Sequence, residues 1–139
     1  MTQTLPDFLD LLRCPESGEI LTLEPDGLST PDGRHRYPIL GGAIPAFAMR
    51  PASPDAQQQL GHYDRIASAY RANLTYPHTI EYMAYLDACL LKVIGHGPFG
   101  VMAELCCGHG EAVSLFTSRI LRGVGLDISP QMLRLARLD

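Results

Sequence analysis

ELCCGHGE, residues 104–111, decides how this chain folds. An acid opens the stretch, Gly108 and Gly110 flank a single residue, and a second acid, Glu111, stands where a helix is ready to start. The apolar run GVMAEL (100–105) leads into it after Gly97-Pro98, and EAVSLFTSRIL (111–121) leaves it at helical spacing. GVGLDIS (123–129) returns to a strand pattern. PQMLRLARL (130–138) then starts another helix, with Ser129 as N-cap and Pro130 at the first helical position. Strand, glycine turn, helix, strand, helix is a βαβα unit, the building block of an α/β parallel sheet.

In such a sheet a ligand lies beyond the carboxyl ends of the strands, where the first βα turn brings bare backbone close to it. Gly108 and Gly110 occupy that turn, which by itself also fits a tight bend with no ligand. Asp127 closes the second strand about 20 residues further on, where an acid can accept both ribose hydroxyls of a nucleoside. A pyrophosphate would rest on the N-H groups and positive dipole end of the next helix. Glu104 and Glu111 oppose it. The third glycine of GxGxxG, counted from Gly108, would fall at Val113, whose branched side chain obstructs close helix-strand packing. A cationic nucleoside has the opposite preference, although Glu111 equally suits a first-turn glutamate on its helix dipole. Cys106 and Cys107 as a redox pair or nucleophile are the alternative, with His109 their one basic neighbour.

ELCCGHGEAVSLF followed by GVGLDISPQMLRLAR resembles the first half of a class I S-adenosylmethionine-dependent methyltransferase. The family pattern is an acid, then Gly-x-Gly-x-Gly, then an acid closing the second strand. Glu104 matches the first acid, Gly108 and Gly110 the second and third glycines, and Asp127 the ribose-binding acid, with Ile128 beside it. Cys106 stands where the first glycine is expected and adds a small side chain near the methionine moiety. YDRIASAY (63–70) resembles the family's lead-in helix, in which Tyr63 and Tyr70 match a tyrosine closing over the amino-acid end of the cofactor. Met132 matches a position that packs on adenosine, and it also fits ordinary core. The resemblance implies a doubly wound, Rossmann-like methyltransferase sheet over residues 61–139, S-adenosylmethionine as cofactor and an unidentified methyl acceptor. Seven strands are expected of such a sheet and two are legible, so the sheet reads as incomplete, the chain as cut short, and no catalytic residue is named. A nicotinamide-dependent oxidoreductase and a non-enzymatic adaptor are the rival readings.

Upstream, YDRIASAYRANL (63–74) sets Ile66, Ala69, Tyr70 and Leu74 at helical spacing, and TIEYMAYLDACLLKVI (79–94) does so with Ile80, Met83, Leu86, Leu90 and Ile94. Residues 51–60 read as a linker running into a helix start near Asp55. Residues 1–50 read as a small β-rich module: a helical turn or two over Leu5–Leu12, then strands EILTLE (19–24), RYPIL (36–40) and AIPAF (43–47), separated by Asp26-Gly27 and Asp32-Gly33. CPESGEILTL with RYPILGGAIPAF resembles the zinc-ribbon-related domain that accompanies some methyltransferases or activates those acting on tRNA. Cys14 stands with Ser17 where the second cysteine of a CxxC pair would be, which implies a metal-free version. His35, between Arg34 and Arg36, fits a solvated turn or a contact to an anionic acceptor.

With 46% hydrophobic and 19% charged residues and a formal net charge of -4, the composition is that of a globular protein. It offers no basic cluster for nucleic acid and no apolar run long enough for a bilayer. No secretory signal is evident, so a cytoplasmic address with reduced cysteines is expected. A two-stranded parallel sheet would leave an open edge and an apolar face, and is expected to self-associate or pair with another polypeptide.

Overall fold

The computed structural model describes residues 5–48 and 53–137. The architecture is mixed α/β, with two small antiparallel sheets and one parallel two-stranded sheet. The chain divides between Ala52 and Ser53 into two compact units. Among the described residues no helix is long and apolar enough to cross a membrane.

The first unit begins with a 3-10 helix, Leu5–Leu11. Strands β1 (Thr22–Glu24), β2 (Gly27–Ser29) and β3 (Arg36–Tyr37) form an antiparallel sheet in that order, and β4 (Ile39–Leu40) pairs with β5 (Ile44–Pro45). The hairpin differs from its sequence reading. Glu24 pairs with Gly27, so the two turn residues are Pro25 and Asp26, and Gly27 belongs to a strand that hydropathy missed. That strand is short but wholly buried, which leaves no alternation to detect. RYPIL is likewise two strands. Pro38 has no N-H to donate and separates β3 from β4, which join different sheets, while its carbonyl accepts from Ala46 N at 2.9 Å.

Leu5, Leu12, Cys14, Leu21, Leu28 and Tyr37 form the core, with Phe47 edge-on to Tyr37 at 4.9 Å between ring centroids. Hydrogen bonds hold the Cys14 turn: Gly18 N donates to Cys14 O at 2.8 Å, Ser17 N to Cys14 Sγ at 3.4 Å, and Tyr37 Oη lies 3.1 Å from that sulfur. Burial raises the Cys14 thiol pKa, but the bonds from Ser17, Tyr37 and the Glu16 backbone outweigh it and bring the value down to about 7. Among the described residues no three His, Cys, Asp or Glu side chains are grouped to share a metal ion. The basic run 34–36 is internally matched: Arg34 meets Asp32 at 3.2 Å, His35 Nδ1 meets Glu16 at 3.5 Å, and Arg36 meets Asp26 at 3.9 Å.

In the second unit, helix α1 (Pro54–Asn73) takes in most of the stretch read as linker. Ser53 starts it by accepting from Ala56 N at 3.2 Å, with Pro54 in the first turn. Helix α2 (Pro77–Ile94) follows, ending at Gly95 with φ 88°. Strand β6 (Phe99–Leu105), helix α3 (Glu111–Phe116), strand β7 (Ile120–Leu126) and helix α4 (Pro130–Ala136) complete it. The sequence reading carried α3 to residue 121. Instead a 3-10 turn, Thr117–Arg119, ends it, and Ile120 pairs with Phe99 as β7 begins. β6 and β7 are parallel, with Glu104 opposite Gly125 and Leu105 opposite Leu126.

Ala67, Cys107, Phe116 and Met132 are this unit's buried apolar residues, and Phe99 packs edge-on to Phe116 at 5.8 Å. The buried position of α1 is therefore Ala67, on the side that packs against α4, while Ala69 and Tyr70 of the predicted stripe are exposed. Gly123 decides how closely α3 approaches the sheet. A Cβ there would lie 2.9 Å from Val113 Cγ1 and 3.0 Å from Ile120 Cδ1. The expected obstruction by Val113 is thus removed from the strand side, because the glycine that close packing requires sits on β7 instead of α3. The sheet leaves apolar side chains uncovered, Val101, Leu105 and Leu126 among them, and α2 has no buried residue.

Candidate functional site

The site is built on the loop between β6 and α3. Cys106 (φ 55°), Gly108 (φ 53°) and Gly110 (φ 78°) all adopt the left-handed region, so the loop alternates residues that favour glycine with Cys107 and His109. Backbone hydrogen bonds tie it down: Cys107 N to Leu126 O at 2.9 Å and Gly110 N to Cys107 O at 2.7 Å. Cys106 therefore fills the glycine position of the pattern in conformation as well as in sequence, at a cost of roughly 1–2 kcal/mol for its Cβ. Cys106→Gly is expected to raise stability by roughly 0.5–1 kcal/mol once the extra chain entropy of glycine is set against that strain. The urea midpoint checks this, and a lower midpoint would mean the side chain makes contacts that outweigh the strain.

Both acids of the pattern border this loop. Glu104 reaches the start of α3, where Oε2 accepts from Val113 N at 3.0 Å and Oε1 from Ala112 N at 3.4 Å. The N-cap of α3 is Gly110, which has no side chain to satisfy those amides, so a carboxylate from the strand does so. Asp127 approaches from the end of β7. Its Oδ2 accepts from Gly108 N at 2.9 Å and its Oδ1 from Ser129 N at 2.8 Å. An ionised carboxylate has about four acceptor positions, so each oxygen keeps one for a ligand hydroxyl. Ile128 next to it is half-buried.

Beneath the loop, Cys107 packs under Gly125, where a Cβ would fall 2.9 Å from its sulfur. Burial first, then the charges of Asp127, Glu104 and Glu111, push its thiol up to about 12. Burial and the raised pKa both disfavour Cys107 as a nucleophile or the reactive half of a redox pair. Cys106 is exposed, and both cysteines are free thiols.

His109, which the sequence offers only as a basic neighbour of the cysteines, is enclosed here. It is 6% exposed, yet neither ring nitrogen has a hydrogen-bond partner, and the same holds for the buried Oε1 of Glu111. An unmatched buried polar group costs roughly 1–3 kcal/mol. Tyr70 lies over it, its ring 5.4 Å from that of His109. Its hydroxyl pKa is raised by burial and by the charges of Glu111, Tyr63, Asp127 and Glu104, which brings the α1 tyrosine into the field of all three acids.

The predicted residues therefore divide. Cys106, Gly108 and Gly110 form one loop, bordered by Asp127 through Gly108 N, by Glu104 through the first turn of α3, and by Tyr70 over His109. Tyr63, as exposed as Tyr70, sits edge-on to His62 at 5.3 Å and is close enough to Tyr70 to help raise its pKa. Met132 is 2% exposed and belongs to the core, where only its backbone N-H, donated to Ser129 Oγ at 3.1 Å, takes part in the site. Two grooves of about 420 and 550 Å³ run along α1, the smaller between Asp64, Ala67 and Gln131 and the larger beside Tyr63, so neither lies over the glycine loop. The loop offers backbone and charge on an open surface. No protein-family model, curated protein or solved structure matches the chain.

Proposed function

We propose that this chain binds S-adenosylmethionine over the 106–110 loop, within a Rossmann-like sheet, and supplies the donor half of a methyltransferase whose acceptor is unidentified. One observation carries the reading: Glu104 and Asp127, at the ends of two parallel strands, bracket the same glycine turn, Asp127 Oδ2 holding Gly108 N and Glu104 holding the first amides of the helix that leaves the turn. The α3 amides that a pyrophosphate would need already donate to Glu104, and three carboxylates surround the loop, so an anionic dinucleotide is disfavoured. The same field suits a ligand that is cationic at one end and carries ribose hydroxyls at the other. Asp127 has acceptor capacity for the ribose, and the charges of Glu104 and Glu111 favour an ammonium-bearing end.

When bound, S-adenosylmethionine supplies a methyl group on a positively charged sulfur. Asp127 would hold its ribose, and Glu104, Glu111 and the 106–110 loop would border its cationic end. The residues here hold and orient the donor, which is the larger part of catalysis in such a displacement. Calorimetric titration tests the reading: S-adenosylhomocysteine is expected to bind and NAD not to bind. The reverse pattern would establish the oxidoreductase reading. A second reading, an adaptor without enzymatic activity, is favoured by the uncovered apolar side chains of β6 and β7, where Leu105 is 76% and Leu121 80% exposed. It predicts no affinity for either nucleoside and a stable complex with a partner polypeptide.

A further inference from the structure

We infer that Asp64, in the middle of α1, is a positioning residue for the Asp127 carboxylate, so that ribose recognition depends on the contact between α1 and α4. The inference rests on the nucleoside-binding reading above. Asp64 Oδ1 accepts from Ser129 Oγ at 2.6 Å and from Gln131 N at 3.1 Å. Ser129 is fully buried, and a hydroxyl has one proton to give. Donating it to Asp64 turns the oxygen's lone pairs toward Met132 N, 3.1 Å away, which caps α4. The backbone N-H of the same serine donates to Asp127 Oδ1 at 2.8 Å, and the other oxygen of Asp127 holds Gly108 N at 2.9 Å. A continuous chain of hydrogen bonds thus runs from α1 through Ser129 and Asp127 to the glycine loop.

Its first link is charge-assisted and short, the strongest class of side-chain hydrogen bond. Without that acceptor the Ser129 hydroxyl loses its reason to point one way, the α4 cap loosens, and the N-H that fixes Asp127 Oδ1 moves with it. Asp127 then keeps its charge but loses its orientation. α1 also carries Tyr70, whose ring covers His109, so one helix both shapes the loop's outer wall and aims the carboxylate beneath it.

The test compares S-adenosylhomocysteine with its 2′-deoxyribose analogue on the full chain and on Asp64→Ala, Asp64→Asn and Ser129→Ala. The unaltered chain is expected to prefer the ribose form by roughly tenfold, the worth of one hydrogen bond to a charged group. Asp64→Ala is expected to weaken S-adenosylhomocysteine roughly tenfold and to bring the preference close to one, as is Ser129→Ala. Asp64→Asn retains an acceptor oxygen and should preserve most of the preference. A general loss of packing would weaken both ligands alike and leave their ratio intact. Should Asp64→Ala and Ser129→Ala lower stability while keeping the ratio, the positioning role is wrong although the nucleoside reading survives. Should the unaltered chain bind neither ligand, that reading fails and the positioning role with it.

Discussion

Asp127→Ala is expected to weaken S-adenosylhomocysteine binding by about 100-fold or more, the loss of two hydrogen bonds to a charged acceptor at roughly 1.5–3 kcal/mol each. The effect has two parts. The ribose loses its acceptor, and Gly108 N and Ser129 N, which donate to the two oxygens of Asp127, lose theirs, so the loop itself loosens. Asp127→Asn separates them in part. Its single amide oxygen can serve one of the two backbone donors, while its amide nitrogen faces the other donor unfavourably. Its affinity should fall between that of the alanine variant and the unaltered chain. Isothermal titration, with circular dichroism to verify the fold, measures both. Unchanged affinity in Asp127→Ala would take this carboxylate out of the site.

Gly27→Ala should cost the first unit about 3 kcal/mol, the upper end of what overpacking usually costs. The added Cβ would run into the Tyr37 carbonyl oxygen, with Tyr37 C at 3.2 Å and Pro38 Cα at 3.3 Å behind it. All three are backbone atoms, so no rotamer change relieves the clash, and β2 must draw away from β3. Leu28 and Tyr37, partners across those strands and 1% and 6% exposed, would lose their packing with it. Amide hydrogen exchange across β1 to β3 reads the loss directly. Protection lowered by less than about 1 kcal/mol would show that the hairpin can spread at little cost.

The positions legible in the sequence are those governed by near neighbours. Ser129, followed by proline, starts α4 where the capping rule puts it, and α1 starts at Pro54, beside the Asp55 expected. The glycine loop lay where a strand pattern gives way to a helix, and Gly108 and Gly110 do adopt positive φ. Where a chain rule was too local, the reading went astray. The pattern from 111 to 121 is helical in hydropathy, but Ile120 and Leu121 are claimed by the parallel pairing with β6. Gly27 carries the signature of a turn, yet it is needed in a strand because the Tyr37 backbone passes beside it.

Residue order alone thus determined that a glycine bend at 106–110 separates a strand from a helix, and that acids border it, since each depends on side chains a few positions apart. Only the tertiary structure decided what those acids do. Glu104 stabilises an uncapped helix, Asp127 holds Gly108, and Asp64 holds Ser129, across separations of 9, 19 and 65 residues. Val113 is accommodated by a glycine on the neighbouring strand, and His109 is enclosed with no partner. Such pairings follow from how elements pack, and the free energy that selects them is shared among contacts that have no fixed spacing along the chain.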